Sequence, residues 1–141
     1  MNLILINFSG HSMTEEQKTQ VMDHYQTLAK QTPPALLYFE PDQRVLLHFD
    51  KSKPYYPQAA LLFDSIPFTR EQLENSAVVV AVPSNADIAA FFLAVYHGRV
   101  GRFPAIVRRR EHDMPPFIVA EIANLETIRQ NARQQRYQGQ P

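Results

Sequence analysis

Two short apolar runs, each leading directly into small polar residues, constrain the fold of this chain more than any other feature. Residues 2–8 (NLILINF) precede the polar segment 9–12, and residues 77–83 (AVVVAVP) precede the polar segment 84–87. Uninterrupted apolar strands are typical of a parallel sheet that helices cover on both faces. The alternation of such strands with helical patterns predicts a three-layer α/β domain with a mostly parallel central sheet.

Capping signals predict where several helices begin and end. Capping-box patterns occur at Thr14–Gln17, after the first strand, and at Thr69–Gln72, before the second. In this pattern the threonine and glutamine side chains satisfy free backbone N–H groups of the first turn. A further helix is expected to begin with Ser84 as its N-cap and to end at Gly98, in the C′ position that favours glycine.

The rest of the chain is predicted from residue spacing. Strands are expected over 105–108 and 117–122, and a helix over 124–137, with residues 135–141 as a frayed tail. Two strand-like runs within 35–50 fit either a hairpin or one interrupted element.

Composition limits the class of protein. At 141 residues without internal repeats, residues 1–141 are expected to form a single domain. Fourteen basic and fourteen acidic residues balance, which argues against long nucleic acid as a partner. The chain has no cysteine, no secretory leader pattern and no apolar run of the roughly 18 residues that span a bilayer. A cytoplasmic protein without membrane contact is expected.

Several catalytic classes lack their motifs here. The chain contains no Gly-x-Gly-x-x-Gly and no P-loop pattern, which disfavours dinucleotide cofactors and P-loop triphosphates. The five histidines show no metal-ligand spacing, and neither Ser9 nor Ser84 lies in a Gly-x-Ser-x-Gly elbow. No metal and no cofactor is therefore expected.

The loop after the first strand offers the groups of an anion-binding site. Ser9 and Ser12 supply hydroxyls, and Gly10 permits close approach of the backbone to a ligand. His11 can transfer a proton near neutral pH. The loop also precedes a helix, whose N-terminus attracts phosphate. The alternative is an ordinary strand-to-helix turn with a surface histidine.

Two other segments are candidates for contact with the same ligand. Ser84 and Asn85 follow the second strand, and the Asn85 amide could hold a base or a ribose. His97, Arg99 and Arg102 lie in the unusual segment HGRVGR, whose arginines can pair with phosphate. A joint site requires both loops and this basic turn to lie at one edge of the sheet. The alternative is that the arginines are solvated and the histidine caps its helix.

Two further groups of arginines are interpreted as solvated. Arg108 and Arg110 share one side of a strand and Arg109 faces the other, so the three cannot form one surface. The arginines within 129–136 recur along one side of the last helix. Neither group is assigned to the binding site.

Three segments carry a resemblance to a known family. Residues 5–17 (LINFSGHSMTEEQ), 97–104 (HGRVGRFP) and 124–133 (NLETIRQNAR) together resemble small CRISPR-associated accessory proteins found beside type III systems. The resemblance spans nearly the whole chain and is loose over 32–76. It implies a Rossmann-like domain related to the CARF sensor fold. Such proteins are usually homodimers that bind cyclic oligoadenylate messengers and lower their level, by ring opening or by sequestration.

The resemblance also assigns roles by position. Residues 9–11 match the first loop of the family, Ser84 and Asn85 the second, and 97–102 the basic turn. Cyclic tetra-adenylate has four phosphates and approximate two-fold symmetry, so a two-fold dimer would present each group to it twice. If the ring is opened, His11 is the acid or base candidate, with Arg99 or Arg102 stabilising the developing charge.

The sequence therefore predicts a dimeric protein that binds cyclic tetra-adenylate, and it leaves open whether the ligand is cleaved. One alternative is a monomeric enzyme or binding protein for a small phosphorylated metabolite. Another is an interaction module that uses the arginines of the last helix as its partner surface.

Overall fold

One sheet of five strands runs through the part of the chain that this computed structural model describes, residues 2–32, 35–42, 48–111 and 117–138. The strands are β1 (Leu3–Asn7), β2 (Leu36–Phe39), β3 (Ala77–Ala81), β4 (Ala105–Glu111) and β5 (Phe117–Asn124). The helices are α1 (Glu15–Ala29), α2 (Tyr55–Asp64), α3 (Arg70–Asn75), α4 (Ala86–Val100) and α5 (Leu125–Gln138). The predicted α/β class is confirmed.

The sheet is mostly parallel, as the apolar runs predicted. Its strand order is β2-β1-β3-β4-β5, and β5 runs antiparallel to β4. Leu3 pairs with Ala77 at one end of the β1–β3 ladder, and Asn7 pairs with Ala81 at the other. We call the end where β1 to β4 finish the carboxyl edge and the opposite end the amino edge.

Alternate residues of β1 enter different hydrophobic clusters, one on each face of the sheet. Ile4 and Ile6 pack with residues of α2 and α4. Leu3 and Leu5 pack with Val21 of α1. Burial on both faces explains why successive strand residues are apolar instead of alternating with polar ones.

Both predicted capping boxes are present. Thr14 Oγ1 accepts the Gln17 N–H at 3.1 Å, and the Gln17 side chain accepts the Thr14 N–H at 3.0 Å. Thr69 and Gln72 make the same reciprocal pair at the start of α3. These helix starts are therefore determined by local sequence.

The predicted ends of the long helix α4 are wrong at both termini. Asn85 rather than Ser84 is the N-cap, and its Oδ1 accepts the N–H groups of Asp87 and Ile88 at 2.9 and 3.1 Å. Gly98 lies inside the helix, which ends at Gly101 with φ +93°. Glycine adopts this left-handed conformation without the steric cost that other residues carry, so Gly101 is the better terminator.

The remaining predictions hold with shifted boundaries. Strands β4 and β5 extend to Glu111 and Asn124, a few residues beyond their predicted ends. Helix α5 continues to Gln138, so residues 135–138 are helical where a frayed tail was expected. The hairpin alternative within 35–50 depends on residues 43–47, which lie outside the described residues.

Candidate functional site

The two polar loops begin side by side at the carboxyl edge. Asn7 pairs with Ala81, and the Phe8 N–H donates to the Ala81 carbonyl at 2.8 Å. Because β1 and β3 are parallel neighbours, the segments that follow them leave the sheet side by side. The structure therefore brings Ser9 to Ser12 into the same region as Ser84 and Asn85.

A buried amide holds the first loop in shape. Asn7 is 1% exposed, and its Oδ1 accepts the Ser9 N–H at 3.0 Å and the Ser9 hydroxyl at 2.6 Å. Its Nδ2 donates to the His11 carbonyl at 2.8 Å and to the Tyr38 hydroxyl at 3.0 Å. One side chain thus ties the loop to β1 and to β2, and the loop is preorganised before any ligand binds.

Arg109 supplies the positive charge of this site. Its Nη2 donates to the Ser9 hydroxyl at 2.5 Å. Burial lowers the pKa of the half-buried Arg109 guanidinium, which stays charged at neutral pH. By contrast, the neighbouring Arg108 is exposed and pairs with Glu121 across the strands at 2.7 Å.

Strand β5 and helix α1 support the segment that carries Arg109. The β4–β5 register shifts between Arg108 and Arg109, where Arg109 pairs with Val119. The Val119 N–H donates to Gln20 Oε1 at 2.8 Å, and its carbonyl lies 3.1 Å from His24 Nε2. The bulge and these α1 side chains place Arg109 on the same side of the sheet as α1 and the Ser9 loop.

An acidic group lies on the other side of the loop. Glu40, which follows β2, accepts the Tyr38 hydroxyl at 2.6 Å on Oε1 and the Ser12 hydroxyl at 2.7 Å on Oε2. Burial and then the hydrogen bond to Glu40 raise the pKa of Tyr38, so its hydroxyl remains a donor. Lys18 Nζ lies 4.2 Å from the centre of the Tyr38 ring.

We define the carboxyl-edge cluster as these connected side chains: Asn7, Ser9, Ser12, Tyr38, Glu40 and Arg109. Sequence analysis did not assign Asn7, Tyr38, Glu40 or Arg109 to the site. Arg109 and Glu40 reach the loop from 100 and 28 positions away, whereas the bonds of Asn7 to Ser9 and His11 are local, so its polar side chain at the end of an apolar strand was an available signal. The alternation of Arg109 against Arg108 and Arg110 was the one local signal that set Arg109 apart.

The loop is open to its surroundings at Gly10. Gly10 has φ +84°, and a Cβ built at Gly10 would meet no atom within 4 Å. Glycine is therefore favoured by the backbone conformation rather than by crowding. His11 and Ser12, which follow Gly10 in the loop, are exposed, so their side chains are accessible from solvent.

The helix N-termini at this edge are already capped. Thr14 and Asn85 accept N–H groups of the first turns of α1 and α4. Glu15 and Asp87 add negative charge to those turns. The expected contribution of helix N-termini to phosphate binding is therefore reduced, and Arg109 with the Ser9 loop becomes the stronger anion site. Because the Asn85 Oδ1 serves as cap, its amide nitrogen is the part left for a ligand.

The basic turn lies at the opposite, amino edge, so its expected place in a joint site is wrong. Helix α4 runs for 15 residues, about 22 Å, and carries the chain back across the sheet. Arg102 Nη2 donates to the carbonyls of Leu73, Glu74 and Ser76 at 3.2, 2.7 and 3.1 Å, just before β3 begins. Arg102 thereby satisfies backbone carbonyls at the C-terminal end of α3, which is a structural role.

Arg99 and His97 also have partners at the amino edge. Arg99 Nη1 binds Asp64 Oδ1 at 2.5 Å, and its guanidinium lies 5.1 Å from the centre of the Phe63 ring. His97 Nε2 is 3.6 Å from Glu126 Oε1. These contacts join α4 to α2 and α5. The stated alternative, solvated arginines and a histidine that caps its helix, is therefore not what the structure shows either.

A cavity of about 600 Å³ also lies at the amino edge. Its walls include Tyr25, Leu28, Phe103 and Ile128. The one arginine of this wall, Arg102, already binds three carbonyls. The described lining of the cavity therefore lacks the free cation that a phosphate site needs.

Among the described residues, no three histidine, aspartate or glutamate side chains are grouped to hold a metal ion. No helix in the described ranges is long and apolar enough to cross a membrane. No model of a protein family, no curated protein and no solved structure matches this chain.

Proposed function

We propose that this chain is a Rossmann-like, three-layer domain that binds cyclic oligoadenylate, most favourably cyclic tetra-adenylate, at the carboxyl-edge cluster. The proposed role is to lower the level of this messenger in type III CRISPR signalling. The contact between Arg109 and Ser9 supports the proposal most strongly, because it holds a half-buried cation against a preorganised loop. A guanidinium matches the geometry of phosphate oxygens and is less strongly hydrated than an ammonium group.

In this proposal Arg109 is the cation that pairs with phosphate, the role that the sequence had predicted for Arg99 and Arg102. Arg99 and Arg102 lie at the amino edge, away from both loops, and therefore do not support binding at the carboxyl edge. The proposal depends instead on one arginine of β4 that reaches the loop of β1 across the end of β3.

A homodimer belongs to the proposal. A single carboxyl-edge cluster offers one half-buried arginine, whereas cyclic tetra-adenylate carries four phosphates. Two copies related by a two-fold axis would present two arginines and two Ser9 loops to a ligand of similar symmetry. The residues 97–102 would take no part in this contact.

Removal of the messenger has two chemical forms. In sequestration, the protein only holds the ring. In metal-independent opening, a ribose 2′-oxygen attacks the adjacent phosphorus, its proton passes to a base, and the 5′-oxygen leaves with a proton from an acid. The products are a 2′,3′-cyclic phosphate and a 5′-hydroxyl. His11 is the residue of the loop suited to transfer these protons, and Arg109 would stabilise the developing charge.

Calorimetric titration of the intact protein with cyclic tetra-adenylate tests the proposal. We expect saturable binding of one ring per two chains, and much weaker binding of linear tetra-adenylate. Mass measurement in solution should give a dimer. Binding of neither nucleotide would overturn the proposal. A monomer that binds only small phosphorylated metabolites would support the alternative named above.

Replacing His11 with alanine separates the two forms of removal. If the ring is opened, H11A should lower turnover about 100-fold with little change in affinity, because proton transfer contributes on that scale. Chromatography of the nucleotide products measures this, with His48→Ala, an exposed histidine outside the site, as the control. Unchanged turnover in H11A would exclude His11 as the acid or base of ring opening. Absence of turnover by the unmodified protein would establish sequestration.

A further inference from the structure

The cavity at the amino edge has the size and the walls of a small-molecule site. Its volume is about 600 Å³, and sites for small organic ligands have roughly 300–1,000 Å³. The rings of Tyr25 and Phe103 lie in its wall together with the aliphatic side chains of Leu28 and Ile128. Leu28 is 61% exposed and Ile128 is 54% exposed, so the described part of the chain leaves this apolar surface open. A ligand that covers the surface would gain the free energy of apolar burial.

Tyr96 of α4 presents its hydroxyl to this cavity. Tyr96 is 1% exposed, and its ring packs edge-on against Phe63 with 5.9 Å between the ring centres. No fully enclosed side-chain oxygen of the described residues lacks a hydrogen-bond partner. The Tyr96 hydroxyl has no partner among those residues, so it is not fully enclosed. Because Tyr96 lines the cavity, the surface that its hydroxyl reaches is the cavity wall.

The Tyr96 hydroxyl is a hydrogen-bond donor at neutral pH. Burial raises the pKa of the phenol, and the positive charge of Arg102 opposes this rise only in part. A buried tyrosine hydroxyl usually has a hydrogen-bond partner, which this one lacks among the described residues. An acceptor atom on a bound molecule would satisfy it.

The charged side chains of the described wall are already engaged. Arg102 donates to three backbone carbonyls, and Glu121 accepts from Arg108 Nε at 2.7 Å. Glu126 Oε1 accepts the Phe103 N–H at 2.7 Å. A charged ligand would therefore lose its hydration without gaining a free counter-charge in this part of the wall. The walls favour an uncharged ligand.

We infer that the amino-edge cavity is a second binding site, for an uncharged aromatic molecule whose carbonyl oxygen or ring nitrogen accepts a hydrogen bond from the Tyr96 hydroxyl. The rings of Tyr25 and Phe103 favour an aromatic ligand, because aromatic pairs are more stable than their buried area alone implies. The cavity lies at the opposite edge from the carboxyl-edge cluster, so the inference does not depend on nucleotide binding. Tyr96 is the specificity-determining residue of this second site.

The test titrates the intact, isotope-labelled protein with 2-acetylnaphthalene and with 2-isopropylnaphthalene, followed by NMR. The two probes share the ring system and a branched substituent, but only the ketone carries a hydrogen-bond acceptor. Both should shift the backbone amide signals of Phe103 and residues 121–128, which line the cavity, and should leave those of residues 9–12 unchanged. The preference for the ketone over the hydrocarbon should fall about tenfold in Tyr96→Phe, the size of effect expected for one hydrogen bond.

Two further variants serve as control and as a test of the cavity itself. Tyr56 is an exposed tyrosine of α2 outside the cavity, so Tyr56→Phe removes the same oxygen and should keep the preference of the unmodified protein. Ala29 is an exposed wall residue at the end of α1. In Ala29→Trp the indole would occupy the cavity, so both probes should bind at least about tenfold more weakly.

Absence of amide shifts at the cavity with both probes, or undiminished binding in A29W, would overturn the second site. An equal preference in Y96F and the unmodified protein would overturn the role of Tyr96 and the class of ligand inferred from it. If Y96F does not fold, the unmodified protein still decides: the ketone is the less apolar probe, so it binds more tightly only if its oxygen is recognised. Failure of cyclic tetra-adenylate to bind would overturn the proposed function and leave this inference intact.

Discussion

Replacing Arg109 with glutamine is expected to weaken the binding of cyclic tetra-adenylate about 100-fold, since each charge-assisted hydrogen bond to phosphate contributes about 1.5–3 kcal/mol. Arg109 is the half-buried cation that reaches the Ser9 loop. In a homodimer the substitution removes two arginines from the binding site. Arg109→Lys should recover part of the affinity, because it keeps the charge and loses the planar fork.

Arg108→Gln is the matched control for this experiment. Arg108 is the preceding residue of the same strand and makes an exposed pair with Glu121. Because exposed pairs contribute little, R108Q should change affinity by less than about twofold. Titration at two salt concentrations measures both variants. Equal losses in R108Q and R109Q would show that only net charge matters and would contradict the assigned site.

Replacing Asn7 with leucine is expected to lower the free energy of unfolding by about 3 kcal/mol, because several polar groups of the loop lose their partners at once. Asn7 is 1% exposed and binds groups of Ser9, His11 and Tyr38. Leucine keeps the branched heavy-atom skeleton of asparagine and opens no cavity, so the loss reports the missing hydrogen bonds. Urea unfolding followed by circular dichroism measures the change.

Asn124→Ala provides the scale for this comparison. Its Oδ1 accepts the Thr127 N–H at 3.2 Å at the start of α5, an ordinary helix cap. Loss of such a cap costs about 1 kcal/mol. If N7L is no more destabilised than N124A, the Asn7 amide is not the centre of the loop, and the preorganised site described above is wrong. We also expect N7L to lose nucleotide binding at temperatures where it stays folded.

Much of the fold could be predicted because its signals are local. The capping boxes at Thr14 and Thr69 act within four residues, so their sequence determines where α1 and α3 begin. The apolar runs at β1 and β3 required burial on both faces and hence an α/β sheet. At α4 two adjacent cap residues and two nearby glycines competed. The structure has Asn85 and Gly101 at the two ends, which the local rules alone did not distinguish from Ser84 and Gly98.

The site could be predicted only in part. The common location of the loops after β1 and β3 could be predicted, because parallel strands have their carboxyl ends at the same edge of a sheet. The position of Arg99 and Arg102 at the amino edge could also have been predicted, because a helix that follows a parallel strand returns the chain to the opposite edge of the sheet. With 15 residues, α4 is long enough to do so.

The amino-acid sequence by itself determined the α/β class, the apolar strands, both capping boxes and the two polar loops, because each depends on residues close together in the chain. Only the tertiary structure decided that Arg109 serves the Ser9 loop and that Glu40 lies opposite it. These contacts join residues 100 and 28 positions apart. Strand order and register set such distances, and no local pattern encodes them.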